Sequence, residues 1–187
     1  MLQEFWCASY EEACVYQCLA AHPDVVNFEE QRTRVDFVAE DGRSTFTRVD
    51  VHVLLRNWDE VLLSVKYDAK ARRPGYLSQI ASISRQAPRS IADRFAVASR
   101  FSFHPVYREC SRLIHLAKSG WDPEADRVVL SAANDLPENF RFGELVNHSG
   151  LGARAHRAAI RLIGDGDLDK HLLDPITENT LLTRRQM

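Results

Sequence analysis

The spacing of apolar positions along this chain changes from helical to alternating and back. Over residues 9–21 it is helical. Val15, Tyr16 and Leu19 form one edge, Ser9 can cap the first turn, and Glu12 stands three residues on, where it can return the bond, before Pro23 ends the run. From residue 25 to residue 67 the period falls to two, with Asp41-Gly42 and Asn57-Trp58-Asp59 as turn punctuation, which predicts a meander of about three antiparallel strands. Residues 74–85 and 106–118 return to helical spacing, and RFAVAS predicts a short strand between them. The predicted order is helix, antiparallel strands, helix, strand, helix, in an α+β arrangement.

Two of the alternating stretches carry charge. In VDVHV, Val49, Val51 and Val53 fall on one face and Asp50 and His52 on the other; in LLSVKY, Leu63, Val65 and Tyr67 oppose Ser64 and Lys66. Antiparallel pairing puts Asp50 and Lys66 on one face, near enough to interact directly or through an ion. From periodicity alone, the same pattern describes a wet sheet face with a cross-strand salt bridge.

Beyond SGWDPEAD, whose Gly, Pro and Asp predict a domain boundary near Gly120, the pattern changes again. WDPEADRVVLSAAND predicts one helix, residues 142–147 a second, Ser149-Gly150-Leu151-Gly152 a turn and residues 153–163 a third, with two short strands after it. This is the element order of a winged helix. The helix after the turn would expose Arg154, His156, Arg157 and Arg161, with Arg184 and Arg185 in the wing, to face DNA phosphates. In the first part of the chain, Arg72 and Arg73, then Arg85, Arg89 and Arg94, form a second spaced basic set, while Tyr76, Leu77, Ile80 and Ile83 are expected to fasten a helix to the sheet.

Composition narrows this picture only a little. In 187 residues, 45% apolar content is enough to bury a core, and a net charge of −2 gives no global basic field, so attraction to nucleic acid would depend on local clusters. Cys7, Cys14, Cys18 and Cys110 have neither zinc-site spacing nor disulfide-scaffold density, and are expected to be reduced. The opening MLQEFWCASYEEACVY carries acids where a signal peptide carries an apolar run, and no stretch approaches the ~18 apolar residues of a membrane span. A soluble, cytoplasmic protein with no membrane partner is expected.

The order of the charged pieces carries a resemblance. A helix with an acid, a strand with Asp and a strand ending in small-or-polar-x-Lys is how the PD-(D/E)xK nucleases present their chemistry. SYEEACVYQCLAAHPDVVNFEEQ resembles the start of the TnsA endonucleases, the nuclease partners in heteromeric cut-and-paste transposases. The likeness covers residues 9–70, roughly a third of the chain. It implies a restriction-endonuclease-like (PD-(D/E)xK) core over residues 1–120 and a C-terminal winged-helix domain over residues 121–187. It also implies a catalytic trio of Glu12, Asp50 and Lys66, with Mg²⁺ (or Mn²⁺) held by Glu12, Asp50 and the Val65 carbonyl. The expected substrate is double-stranded DNA at transposon ends, and the expected partners are a DDE-type, TnsB-like transposase subunit and an AAA+, TnsC-like regulator.

The chain departs from the family at Arg32 and Val49, where prolines are usual, and at Ser64, where the family has Gln or Glu two residues before the lysine. Glu11 could exchange roles with Glu12, and Asp68-Ala69-Lys70 is a second, literal D-x-K. Two alternatives stay open: a catalytically weak or inactive DNA-binding and assembly subunit, and a restriction- or repair-type nuclease.

Overall fold

Strands β1 (Val25–Glu30), β4 (Val51–Leu55) and β5 (Glu60–Val65) turn apolar side chains to one shared core, and β5 adds Leu62 on its opposite face. A computed structural model describes residues 7, 9–30 and 33–185. The protein is a mixed α+β chain that divides into two compact units.

In the first unit a four-stranded sheet runs in the order β1-β4-β5-β6. The first three strands are antiparallel neighbours, and β6 (Arg94–Ala98) lies parallel to β5. Parallel pairing needs a crossover, supplied by the short helix α2 (Asp68–Ala71) and by α3 (Pro74–Gln86). Helix α1 (Tyr10–Ala20), capped by Ser9 Oγ receiving the Glu12 amide at 3.2 Å, covers one face, where Val15, Tyr16 and Leu19 pack on Phe28, Val51, Val53 and Val65. On the other face Ile83 and Ile80 of α3 pack on Leu62, together with Val35, Phe37 and Val49 from a separate hairpin of β2 (Arg34–Val38) and β3 (Ser44–Arg48). Gln86 at the end of α3 donates to the Val38 carbonyl and accepts the Val38 amide, holding that hairpin to the helix.

The region predicted as a meander of about three strands is thus five strands in two sheets. The chain leaves one sheet and enters the other between Arg48 and Val51. Val49 packs in the α3-side cluster, whereas Val51 and Val53 pack on the α1 side. The single alternating strand predicted for VDVHV is therefore broken by a bend at Asp50.

The second unit begins at His104, together with the segment Ala20–Pro23, and not at residue 121. Helix α4 (Pro105–Ser119) carries Ile114 and Ala117, which join the core of α5 (Pro123–Asn134), α6 (Phe142–Ser149) and α7 (Ala153–Asp165). SGWDPEAD is the turn between two packed helices, with Asp122 capping α5 through the Ala125 amide. Strands β7 (Asn139–Arg141), β8 (Leu168–Lys170) and β9 (Leu181–Arg184) form a small antiparallel sheet in the order β7-β9-β8. Gly150, at φ 70°, ends α6 and opens the turn into α7.

Gly164 of α7 lies directly against α4. A methyl group there would run into the Ile114 side chain and stand 3.0 Å from Lys118 Cε. Gly164→Ala is expected to destabilise the second unit by about 1–3 kcal/mol of overpacking, outweighing the ~1 kcal/mol that alanine gains over glycine inside a helix. A thermal melt checks the sign.

Candidate active site

The bend that breaks the predicted strand is also what presents Asp50. Register pairs Val51 with Leu63, so the residue before β4 stands across from Ser64 at the end of β5. Asp50 Oδ2 there accepts three hydrogen bonds from three consecutive residues: Ser64 Oγ at 2.9 Å, the Val65 amide at 2.7 Å and Lys66 Nζ at 2.8 Å. Lys66 Nζ also donates to the Val65 carbonyl at 2.8 Å, and the Lys66 amide donates to Ala98 O of β6. The expected pairing of Asp50 and Lys66 is present, made at strand ends and not in mid-strand. Their side chains are 19% and 25% exposed, sheltered enough to strengthen the pair yet open to a ligand.

Helix α1 carries two adjacent acids, Glu11 and Glu12. Glu11 accepts the Arg100 amide at 2.9 Å and pairs with the Arg100 guanidinium at 3.4 Å. Glu12 is thereby distinguished from its neighbour. Its charge, with those of Glu30 and Asp50, acts on the Tyr16 hydroxyl, which donates to the Asp50 backbone carbonyl at 3.4 Å. Burial first, and these acids second, push the Tyr16 hydroxyl well above its ordinary value. Glu30 ends β1 directly beside Val51, so β1 brings a second acid towards this edge. Gln31 and Arg32, which follow it, lie outside the described residues.

One side chain that the sequence pattern assigned to the core belongs to this cluster. Tyr76, expected only to fasten α3 to the sheet, brings its hydroxyl to 2.6 Å from Ser64 Oγ. Lys70 Nζ stands 5.8 Å from the centre of the Tyr76 ring. A tyrosine one turn into a helix that must cover Ser64 was the available signal, but helical spacing alone assigns it to the core. Leu77, grouped with Tyr76 by the same spacing, is exposed. The literal D-x-K at Asp68 to Lys70 is helical, and Asp68 pairs with Arg72 at 2.8 Å. His52 is engaged by Glu60 and Thr33.

The oxygens of this cluster suit a hard cation. Asp50 Oδ2 and the Val65 carbonyl already converge on one positive charge, the Lys66 ammonium, and the three donors all fall on Oδ2, so Oδ1 is the carboxylate oxygen left for a metal ion. Among the described residues, no group of three or more His, Cys, Asp or Glu side chains is arranged to hold a metal.

The basic residues sort differently from expectation. Arg72 and Arg73, between α2 and α3, are exposed, and so is Arg157 on α7. Arg161 is a correction: it is 3% exposed, with its guanidinium on Asp126 at 2.7 Å and on the carbonyls of Ala117 and Gly120, so it cannot reach a phosphate. Arg154 is exposed as expected, but its guanidinium is shared by Asp122 at 2.9 Å and Glu124 at 2.7 Å. Arg184, expected in a wing, donates to the Ala133 and Leu136 carbonyls at the end of α5. Acids on α5 and at its cap claim Arg154 and Arg161, which helical spacing within α7 cannot reveal.

The chain matches no family model and no curated protein. Among the described residues, no helix is long and apolar enough to cross a membrane.

Arg161→Met is expected to cost about 3 kcal/mol, because it leaves Asp126 and the Gly120 carbonyl without their Arg161 donor, whereas Arg157→Glu should shift stability by less than about 0.5 kcal/mol; chemical denaturation of both variants measures this. Acid titration gives a further expectation. Arg154 first, and the Ala125 amide second, hold the Asp122 carboxyl down to about 2, below its ordinary 3.8. A depressed acid contributes stability that is present above its ordinary value and lost as pH falls through the folded one. Arg154→Ala should therefore be less stable than wild type at neutral pH, and the gap should close between about pH 4 and pH 2.

Proposed function

We propose that this chain is a metal-dependent endodeoxyribonuclease of the PD-(D/E)xK kind, acting as the TnsA-like subunit of a heteromeric transposase that cuts DNA at transposon ends. The observation that carries the reading is the meeting of the Asp50 carboxylate and the Val65 carbonyl on the Lys66 ammonium, each at 2.8 Å, at the C-terminal end of a strand. The order around it supports the same reading: a helix with Glu12, three antiparallel strands, a crossover helix and a parallel strand.

Asp50, Glu12 and the Val65 carbonyl would hold Mg²⁺ (or Mn²⁺). When bound, such an ion supplies a water acidic enough to attack near neutral pH and relief for charge on the phosphate. Lys66 is placed to stabilise the negative charge that develops on the scissile phosphate and to orient the water. Arg72 and Arg73, exposed in the segment that follows β5, would serve the neighbouring phosphates.

The second unit is read as a winged helix. Its order α5-β7-α6-α7-β8-β9, with β9 between β7 and β8, supports this. Since Arg154 and Arg161 are held by acids, its contribution to DNA phosphates falls to Arg157 and the exposed His156. The transposon-end substrate, the DDE-type TnsB-like transposase and the AAA+ TnsC-like regulator come from the resemblance over residues 9–70.

A non-catalytic assembly subunit is the second reading. It is favoured by the Lys66 ammonium itself, which already balances the Asp50 carboxylate charge and occupies the Val65 carbonyl. Nicking of labelled end DNA against Mg²⁺ concentration, with the partner subunits present and absent, separates the two. Wild type is expected to cut, and Asp50→Ala to lose cutting while keeping its DNA affinity, since a metal ligand and not a phosphate contact is removed. Complex formation without cutting by wild type under every condition would establish the assembly role.

A further inference from the structure

Ser64 Oγ lies 2.9 Å from Asp50 Oδ2 and 2.6 Å from the Tyr76 hydroxyl. A serine has one proton to donate, and an ionised carboxylate only accepts. The proton of Ser64 therefore goes to Asp50, and the contact with α3 is made by the phenol donating to Ser64 Oγ. The chain of donors runs from Tyr76 through Ser64 to Asp50, each bond polarising the next.

An aspartate turns easily about χ2, because that torsion is broad and roughly two-fold. Exchange of Oδ1 for Oδ2 is opposed here by donors on one oxygen only. Two of the three, the Val65 amide and the Lys66 ammonium, have fixed direction or fixed charge. The third is a hydroxyl rotor, whose direction is set by what it accepts. From this we infer that Tyr76 is a positioning residue: acting through Ser64, it keeps Oδ2 of Asp50 with the protein and turns Oδ1 towards a divalent cation. The inference rests on the metal-dependent reading above. It also gives Ser64 a use that its short side chain conceals, since hydroxyls from the strand and the helix together span the distance from α3 to Asp50.

The test is Mn²⁺ binding to the full chain, followed through the electron paramagnetic resonance signal of the free ion, for wild type, Tyr76→Phe, Ser64→Ala, the double variant and Asp50→Ala. Phenylalanine keeps the ring beneath Lys70 and removes only the hydroxyl, so the melting temperature should hold. Each single variant is expected to weaken Mn²⁺ about tenfold, the low end for loss of an outer-sphere partner. The double variant should be no weaker than the weaker single one, because both changes cut the same chain of bonds. Wild-type affinity in Tyr76→Phe, or losses that add in the double variant, would overturn the inference while leaving the metal reading in place. Failure of wild type to bind, or equal binding by Asp50→Ala, would remove the metal reading and the inference with it.

Discussion

A single carboxylate oxygen, Oδ2 of Asp50, gathers a hydroxyl, a backbone amide and an ammonium from residues 64, 65 and 66. Hydrogen bonds to a charged acceptor contribute about 1.5–3 kcal/mol each, and a half-sheltered carboxylate lacking them would be a net cost. The bend at Asp50, the end of β5 and the position of Lys66 are therefore fixed by one another. Were Asp50 one residue further along, in β4 proper, its side chain would stand at the position of Val51, inside the apolar layer under α1.

That dependence explains which parts of the structure were readable in the sequence. Ser9 and Glu12 announce the start of α1, and the alternation of Leu62, Ser64 and Lys66 against Leu63 and Val65 places β5 correctly, because caps and parity are local. The break at Asp50 was not readable. Val49, Val51 and Val53 keep perfect alternation in the chain while serving two different cores, and only the arrangement of the β2–β3 hairpin separates them. Tyr76 was equally hidden, since nothing in its spacing tells a ring in the core from a ring whose hydroxyl completes a polar cluster.

The second unit shows the same limit through charge. Helical spacing on α7 correctly puts Arg157 outward, but it cannot tell that Asp122 and Glu124 claim Arg154, or that Asp126 and two carbonyls draw Arg161 inward. Arg161 ties the end of α4, the turn at Gly120 and the start of α5 to α7. The stretch of Gly, Pro and Asp that reads as a linker is thus pinned at its centre, and α4 belongs to the unit that follows it.

The parallel placement of β6 has a consequence for how the cluster is assembled. Asp50 meets Ser64 and Lys66 across 14 and 16 residues, within one antiparallel hairpin, whereas Tyr16 reaches the Asp50 carbonyl across 34. Each doubling of a closed loop adds only about 0.6 kcal/mol of entropy, but the crossover to β6 must also order α3 before its strand can pair. Short-range contacts close fastest. The oxygen that gathers three donors therefore lies within the most local part of the sheet, where closing the chain costs the least entropy.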